Sequence, residues 1–278
     1  MTLWRFKERS YDLSVKPLIM GVLNLTPDSF SDGSSYGSIQ EAVDAAEKMV
    51  TDGADILDIG GESTRPGAEP VSAAEEINRV MPVIEKLAGR LNVPISIDTW
   101  KSEVAEAALK AGAEIVNDIS AMTMDPEMSA TVAGADAAVI LMHSRGNPAE
   151  MQKNTDYTDI VAEVVTFLEA RLKAAVSAGI DTERIVVDPG IGFGKSVAGN
   201  MEIIRRLREF QILNRPVLIG TSRKSFIGAA LNREVSGRIF GTAASVAVAM
   251  MNGASIFRVH DVMAMRDCVD MIRAIMKS

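Results

Sequence analysis

Short apolar runs alternate with longer stretches of helical periodicity along the whole chain. The runs, rich in Ile, Leu and Val, lie at 18–25, 56–59, 95–97, 115–116, 137–142, 185–187, 217–219 and 255–259. Helical patterns fill 39–51, 72–90, 101–111, 156–178 and 237–251. In 156–178, Ile160, Val164, Phe167, Leu168 and Leu172 recur at helical spacing, and Glu163, Glu169, Arg171 and Lys173 take the other face. Four runs are introduced by a Gly-Ala pair, at Gly53, Gly112, Gly134 and Gly253, which predicts a left-handed helix terminus turning directly into a strand. Such alternation is the mark of βαβ units. An open doubly wound sheet would use it too, but eight units in 278 residues favour closure. The expectation is a single-domain α/β fold, a (β/α)8 barrel over 16–278, with a short N-terminal extension at 1–15.

Composition narrows the picture. Apolar residues make up 47% of the chain and aromatics only 5%, so the core must be aliphatic. A net charge of −8, with acids scattered, argues against general affinity for nucleic acid or an anionic membrane, so an anionic ligand needs a local basic pocket. No apolar stretch reaches membrane-spanning length, and the first fourteen residues lack a signal-peptide core. The single Cys268 cannot form an internal disulfide, which fits a reducing cytoplasm.

In a barrel of this kind catalytic groups gather where strands end. Here the ends carry Asn24, Asp58, Asp98, Asn117 with Asp118, Met142 with His143, Asp188, Gly220 with Ser222, and Arg258 with His260. Core packing does not ask for polar groups at nearly every end, so the rim is read as one site. Asp98, Asn117 and Asp188 suit a flat heterocycle with adjacent N–H donors, because a carboxylate accepts two parallel N–H bonds and an amide both donates and accepts. Lys224, Arg258 and His260 follow the last two strands, where barrels often bind phosphate, and the last helix starts nearby. The loops "NLTPDSFSDGSSYGS" and "GGESTRPGAEPVS" are long for strand-helix connections and read as lids, with Asp32 and Arg65 their chemically capable members.

These residues lie in longer motifs. "GVLNLTPDSFSDG", "DILDIGGESTRPGA", "ISIDT", "VNDIS", "LMH", "DPGIGFGKS", "LIGTSRKSFIG" and "FRVHDV" follow one another from about Lys16 to Met276. In content and order they resemble the dihydropteroate synthase family. The resemblance implies an enzyme, a transferase of folate biosynthesis and a sulfonamide target, that joins 6-hydroxymethyl-7,8-dihydropterin pyrophosphate to p-aminobenzoate with release of pyrophosphate. It implies that Asp98, Asn117 and Asp188 bind the pterin, with Lys224 on its oxygen and N5 side and Met142 and Phe193 as apolar walls. Arg258 and His260 then hold the pyrophosphate, and Asn24 engages Mg2+ beside it. Thr64, Arg65, Phe30 and Asp32 complete the p-aminobenzoate site, and Ser225 lies near the benzoate carboxylate. Asp98, Lys224, Arg258, His260, Asp32 and Arg65 are the expected catalytic set. The family also implies a cytoplasmic homodimer joined through the last helices, whose methionines would partly line the interface.

Other residues take plainer readings. "GFGKS" fails the phosphate-loop pattern, because Pro189 stands where a glycine is required. His143 is read as a satisfied loop histidine, Asp58 as a structural group positioning the second loop, and Asp118 as a cap for its neighbours. A corrinoid-dependent pterin methyltransferase and a catalytically silent pterin binder are the rivals. The first has no pyrophosphate to hold, and the second would not need every catalytic position filled. Trp100 departs modestly from the family, which often carries another aromatic there.

Overall fold

The computed structural model describes residues 3–26, 38–63, 67–146, 151 and 154–277. A two-stranded antiparallel hairpin, β1 (Leu3–Phe6) and β2 (Arg9–Asp12), precedes eight parallel strands. These are β3 (Leu18–Asn24), β4 (Ile56–Gly60), β5 (Ile95–Asp98), β6 (Ile115–Asp118), β7 (Ala138–Met142), β8 (Ile185–Asp188), β9 (Leu218–Ile219) and β10 (Ile256–Val259). From β3 to β8 each strand pairs with the next, β9 pairs with β10, and β10 pairs with β3. The ring closes between β8 and β9 through one bridge, Val187 to Val217. All eight predicted runs are therefore strands, and they form the predicted barrel.

Helices α1 (Ile39–Thr51), α2 (Ala73–Leu87), α3 (Ser102–Ala111), α4 (Met128–Gly134), α5 (Ile160–Ser177), α6 (Val197–Arg205), α7 (Ser225–Leu231), α8 (Ile239–Met251) and α9 (Val262–Lys277) separate the strands. Several begin where a side chain takes an orphan amide. The Ser72 hydroxyl accepts from Glu75 N, Asp159 from Val161 N and Ala162 N, and Ser196 from Gly199 N. Gly53, Gly112 and Gly253 are left-handed as expected. The fourth Gly-Ala pair behaves differently: Gly134 ends α4, and Asp136 takes the left-handed step, which Asp tolerates better than most residues.

Alternation along each strand sorts the core into two layers. Outward residues such as Ile19, Leu57, Ile97, Val139, Val187 and Phe257 pack beneath the helices. Inward residues Leu18, Met20, Ile56, Ile115, Ile140, Val186, Leu218 and Ile256 fill the lower barrel. The hairpin plugs that lower end. Trp4 and Phe6 are buried against the inner layer, and Trp4 Nε1 donates to the Arg184 carbonyl at 3.1 Å. With the bottom filled by hydrocarbon, the upper barrel is left for polar groups.

Candidate active site

One step above the apolar layer, the inward positions turn polar. Arg258, one residue inside the end of β10, reaches across the barrel with Nε 2.6 Å from Asp58 Oδ2 and Nη2 2.6 Å from Asp98 Oδ2. Asn117 Nδ2 donates to the same Asp58 oxygen at 3.0 Å. Asp58 is fully buried. Its expected role was to position the second loop; instead it anchors Arg258 and Asn117 from below, because its place in β4 points it inward. Burial opposes the Arg258 charge, but Asp58 and Asp98 hold the guanidinium more firmly protonated than usual. Burial raises the Asp98 carboxyl to about 7 despite Arg258. Among the described residues, Asp98 Oδ1 is buried without a hydrogen-bond partner, so this carboxylate retains an acceptor for a ligand.

Register brings a second row to the rim. Asn24, Gly60, Asp98 and Asn117 lie side by side on β3, β4, β5 and β6. A Cβ on Gly60 would sit 3.7 Å from both Asn24 Oδ1 and Asp98 Oδ2, so the glycine keeps the space between them open. Across the barrel, Asp188 ends β8 and Met142 ends β7, paired in register and both buried. Asp188 Oδ1 accepts from Gly190 N at 2.7 Å; burial raises this carboxyl, and Lys224 opposes the rise. Lys224 donates to the Ile191 carbonyl, and its Nζ stands 4.8 Å from the Phe193 ring centroid. Burial lowers the Lys224 ammonium to about 8, with Asp188 pulling the other way. The His260 ring lies beside Ser222, with Nδ1 3.0 Å from the hydroxyl.

The upper barrel thus presents three buried carboxylates and an amide, an arginine held between two of those carboxylates, a lysine against an aromatic ring, and a histidine at the last strand end. A family model described as pterin binding enzyme matches residues 20–260. The dihydropteroate synthase of Synechocystis sp. is 49% identical over 256 residues, which cover 92% of this chain and 89% of that one.

The chain belongs to the dihydropteroate synthase family.

It is accordingly a transferase. The crystal structure of Yersinia pestis dihydropteroate synthase with a sulfonamide drug complex superposes with a TM-score of 0.95 at 39% identity, covering 99% of this chain and 100% of that one. Xanthomonas albilineans dihydropteroate synthase with 4-aminobenzoic acid gives 0.92 at 42% identity, covering all of both chains.

Of the residues expected in this family site, Asn24, Asp98, Asn117, Met142, Asp188, Phe193, Lys224, Arg258 and His260 lie at the strand ends or in the loops that follow them. Ser225 opens α7 and is exposed. Phe30, Asp32, Thr64 and Arg65 lie outside the described residues.

Two supporting networks join residues far apart in the sequence. The buried Lys195 of "GFGKS" donates to His143 Nδ1 at 2.9 Å, the Phe193 carbonyl at 2.9 Å and the His143 carbonyl at 3.3 Å, tying together the loops after β7 and β8. Burial, then Lys195, lowers the His143 ring to about 2, so it stays neutral. Its edge meets Phe167, in keeping with a structural histidine. Elsewhere, Lys101 bridges Glu62 at 2.9 Å and the buried Glu76 at 2.6 Å, while Trp100 Nε1 donates to Glu62 at 2.9 Å. The other Glu62 oxygen accepts from Val71 N, so one side chain joins both ends of the second loop. The tryptophan's N–H has a defined structural use here. Asp118 caps its neighbours as expected, accepting from Ser120 N and Met122 N.

Proposed function

We propose that this chain condenses 6-hydroxymethyl-7,8-dihydropterin pyrophosphate with p-aminobenzoate to give 7,8-dihydropteroate and pyrophosphate. The observation that carries the reading is the layer of Asp98, Asn117, Asp188, Lys224 and Arg258 above an apolar floor, in a family member whose relatives include a synthase with 4-aminobenzoic acid and one with a sulfonamide. The corrinoid-dependent methyltransferase is not favoured by these relatives.

Asp188 takes parallel N–H bonds from the guanidine-like edge of the pterin, and Asn117 and Asp98 take the opposite edge. Lys224 holds the ring oxygen and N5 side, with Met142 and Phe193 as walls. The bond between the exocyclic methylene carbon and the diphosphate oxygen breaks with its electron pair leaving on the oxygen. Arg258 and His260 stabilise that charge. Among the described residues, Arg258 Nη1 has no hydrogen-bond partner, so it remains available to the leaving group. The carbon left behind is cationic and conjugated with the dihydropterin ring, and the Asp98 and Asp188 carboxylates stabilise it. The p-aminobenzoate amine then attacks and loses a proton. Phe30, Asp32, Thr64, Arg65 and Ser225 complete the p-aminobenzoate side.

The donor set also suits Mg2+. Among the described residues no three acidic, His or Cys side chains converge; Asn24, whose side-chain oxygen borders the space above Gly60, is the residue that would hold the ion, a hard cation that takes oxygen ligands. Bound there, it would neutralise charge on the leaving diphosphate.

Purified protein should release pyrophosphate from the dihydropterin substrate only when p-aminobenzoate is present, with a sulfonamide competing against p-aminobenzoate. The pH profile is a sharper test. Below about 7 Asp98 gains a proton and loses its negative charge; above about 8 Lys224 loses its positive one. We expect kcat/KM for the dihydropterin substrate to peak between these values and fall on both sides. A flat profile from pH 6 to 9 would remove these two groups from the proposed roles.

We also propose a cytoplasmic homodimer. No helix among the described residues is long and apolar enough to cross a membrane. Phe240, Met251, Met263, Met271 and Ile275 are exposed on the neighbouring helices α8 and α9, and a subunit interface is where such apolar side chains would be covered. Light scattering at micromolar concentration should give twice the chain mass; the single-chain mass would overturn the dimer.

A further inference from the structure

The loops after β9 and β10 are stitched together at two adjacent pairs of positions. Arg223 and Asp261 form a two-pronged ion pair, Nε to Oδ2 at 3.0 Å and Nη2 to Oδ1 at 2.6 Å. Next to it, the Ser222 hydroxyl accepts from His260 N at 3.2 Å and meets His260 Nδ1 at 3.0 Å. Arg223 has a φ of 58°, a left-handed conformation that a non-glycine residue adopts only when its surroundings impose it. Its N–H donates to Thr242 Oγ1 and its carbonyl accepts from Arg238 Nη1. The backbone on either side of residue 223 is therefore held, and with it the direction in which Ser222 points.

We propose that Ser222 is a positioning residue that fixes His260 as the tautomer protonated on Nε2 and directs that N–H to the departing diphosphate. The assignment follows from donors and acceptors. Ser222 is only 5% exposed, and its hydroxyl already accepts the His260 amide proton. Among the described residues, the acceptor within reach of its own proton is His260 Nδ1. If Nδ1 carried the ring proton instead, the buried hydroxyl would have no acceptor, a loss that hydroxyls rarely bear. With Nδ1 accepting, the ring's one N–H lies on Nε2. The Arg223–Asp261 pair keeps serine and histidine in register. The inference rests on the proposed role of His260 toward diphosphate.

The chain contains only two histidines, which makes the test direct. Nitrogen NMR of the intact protein labelled with 15N-histidine resolves two rings, and the set missing from His260→Gln belongs to His260. At pH 8.5, about two units above the ordinary imidazole value, that ring should show the Nε2–H pattern. In Ser222→Ala it should become a mixture of tautomers, whereas Ser222→Thr should keep the wild-type pattern. Inhibition by inorganic pyrophosphate and KM for the dihydropterin substrate should both weaken about five- to tenfold in Ser222→Ala. Affinity for a pterin lacking the diphosphate should not change. An Nδ1–H pattern in the wild type, or an unchanged pattern in Ser222→Ala, overturns the tautomer assignment. If the tautomer is as expected but His260→Gln leaves pyrophosphate inhibition intact, the diphosphate role of His260 fails, and the purpose assigned to Ser222 fails with it.

Discussion

Arg258→Met is expected to lose about 3–5 kcal/mol of stability, together with all measurable synthase activity. The methionine fills much of the same space, so the loss is one of charge. Asp58 is fully buried and Asp98 nearly so, and both place an oxygen 2.6 Å from the guanidinium. Without it, two carboxylates share a low-dielectric space with no counter-charge. The sign of the pH dependence follows. Asp98 already titrates well above its ordinary value, and removing Arg258 drives it higher. A carboxyl whose folded pKa exceeds its unfolded one takes up a proton on folding, so stability rises as pH falls. The deficit should therefore shrink between pH 8 and 6, and adding Asp58→Asn should recover part of it. Urea unfolding of the variants at both pH values checks this. A deficit below about 1 kcal/mol at pH 8 would mean that Arg258 does not hold the layer together.

Asp188→Asn should act on catalysis and leave the fold nearly untouched. The asparagine oxygen can still accept from Gly190 N, and the shape is unchanged. What changes is the edge offered to the pterin, where an NH2 replaces an acceptor and faces donors. Leaving a buried charged hydrogen bond unmade costs about 2–4 kcal/mol, so kcat/KM for the dihydropterin substrate should fall about 30- to 1000-fold. Inhibition by inorganic pyrophosphate should be unaffected, since that ligand meets the other end of the site. Steady-state kinetics separate the two, and a decrease of less than about fivefold would deny Asp188 the role of reading the heterocycle.

The barrel could be read from the chain because its strands and helices differ in period and the polar side chains stand at strand ends. A lone Asp98 or Asn117 would have meant little; their recurrence at one end of successive apolar runs marked the rim. The hairpin was missed because β1 and β2 are four residues each, too short for alternation to stand out. The phosphate-loop pattern around Lys195 fails, and its partner His143 lies 52 residues away, a separation that local reading does not bridge. Asp58 was assigned to the wrong neighbour for a similar reason. Its contact with Arg258 spans 200 residues and exists only because the ring closes.

Among the described residues that closure rests on the single bridge between Val187 and Val217, whereas every other neighbouring pair of strands shares a ladder. Asp188 stands on one bank of this seam and Lys224 on the other. A pterin held by both would span the weakest line of the sheet and act as a clasp on it. In the cell, the resistance of this barrel to proteases and heat would then follow the supply of its own substrate.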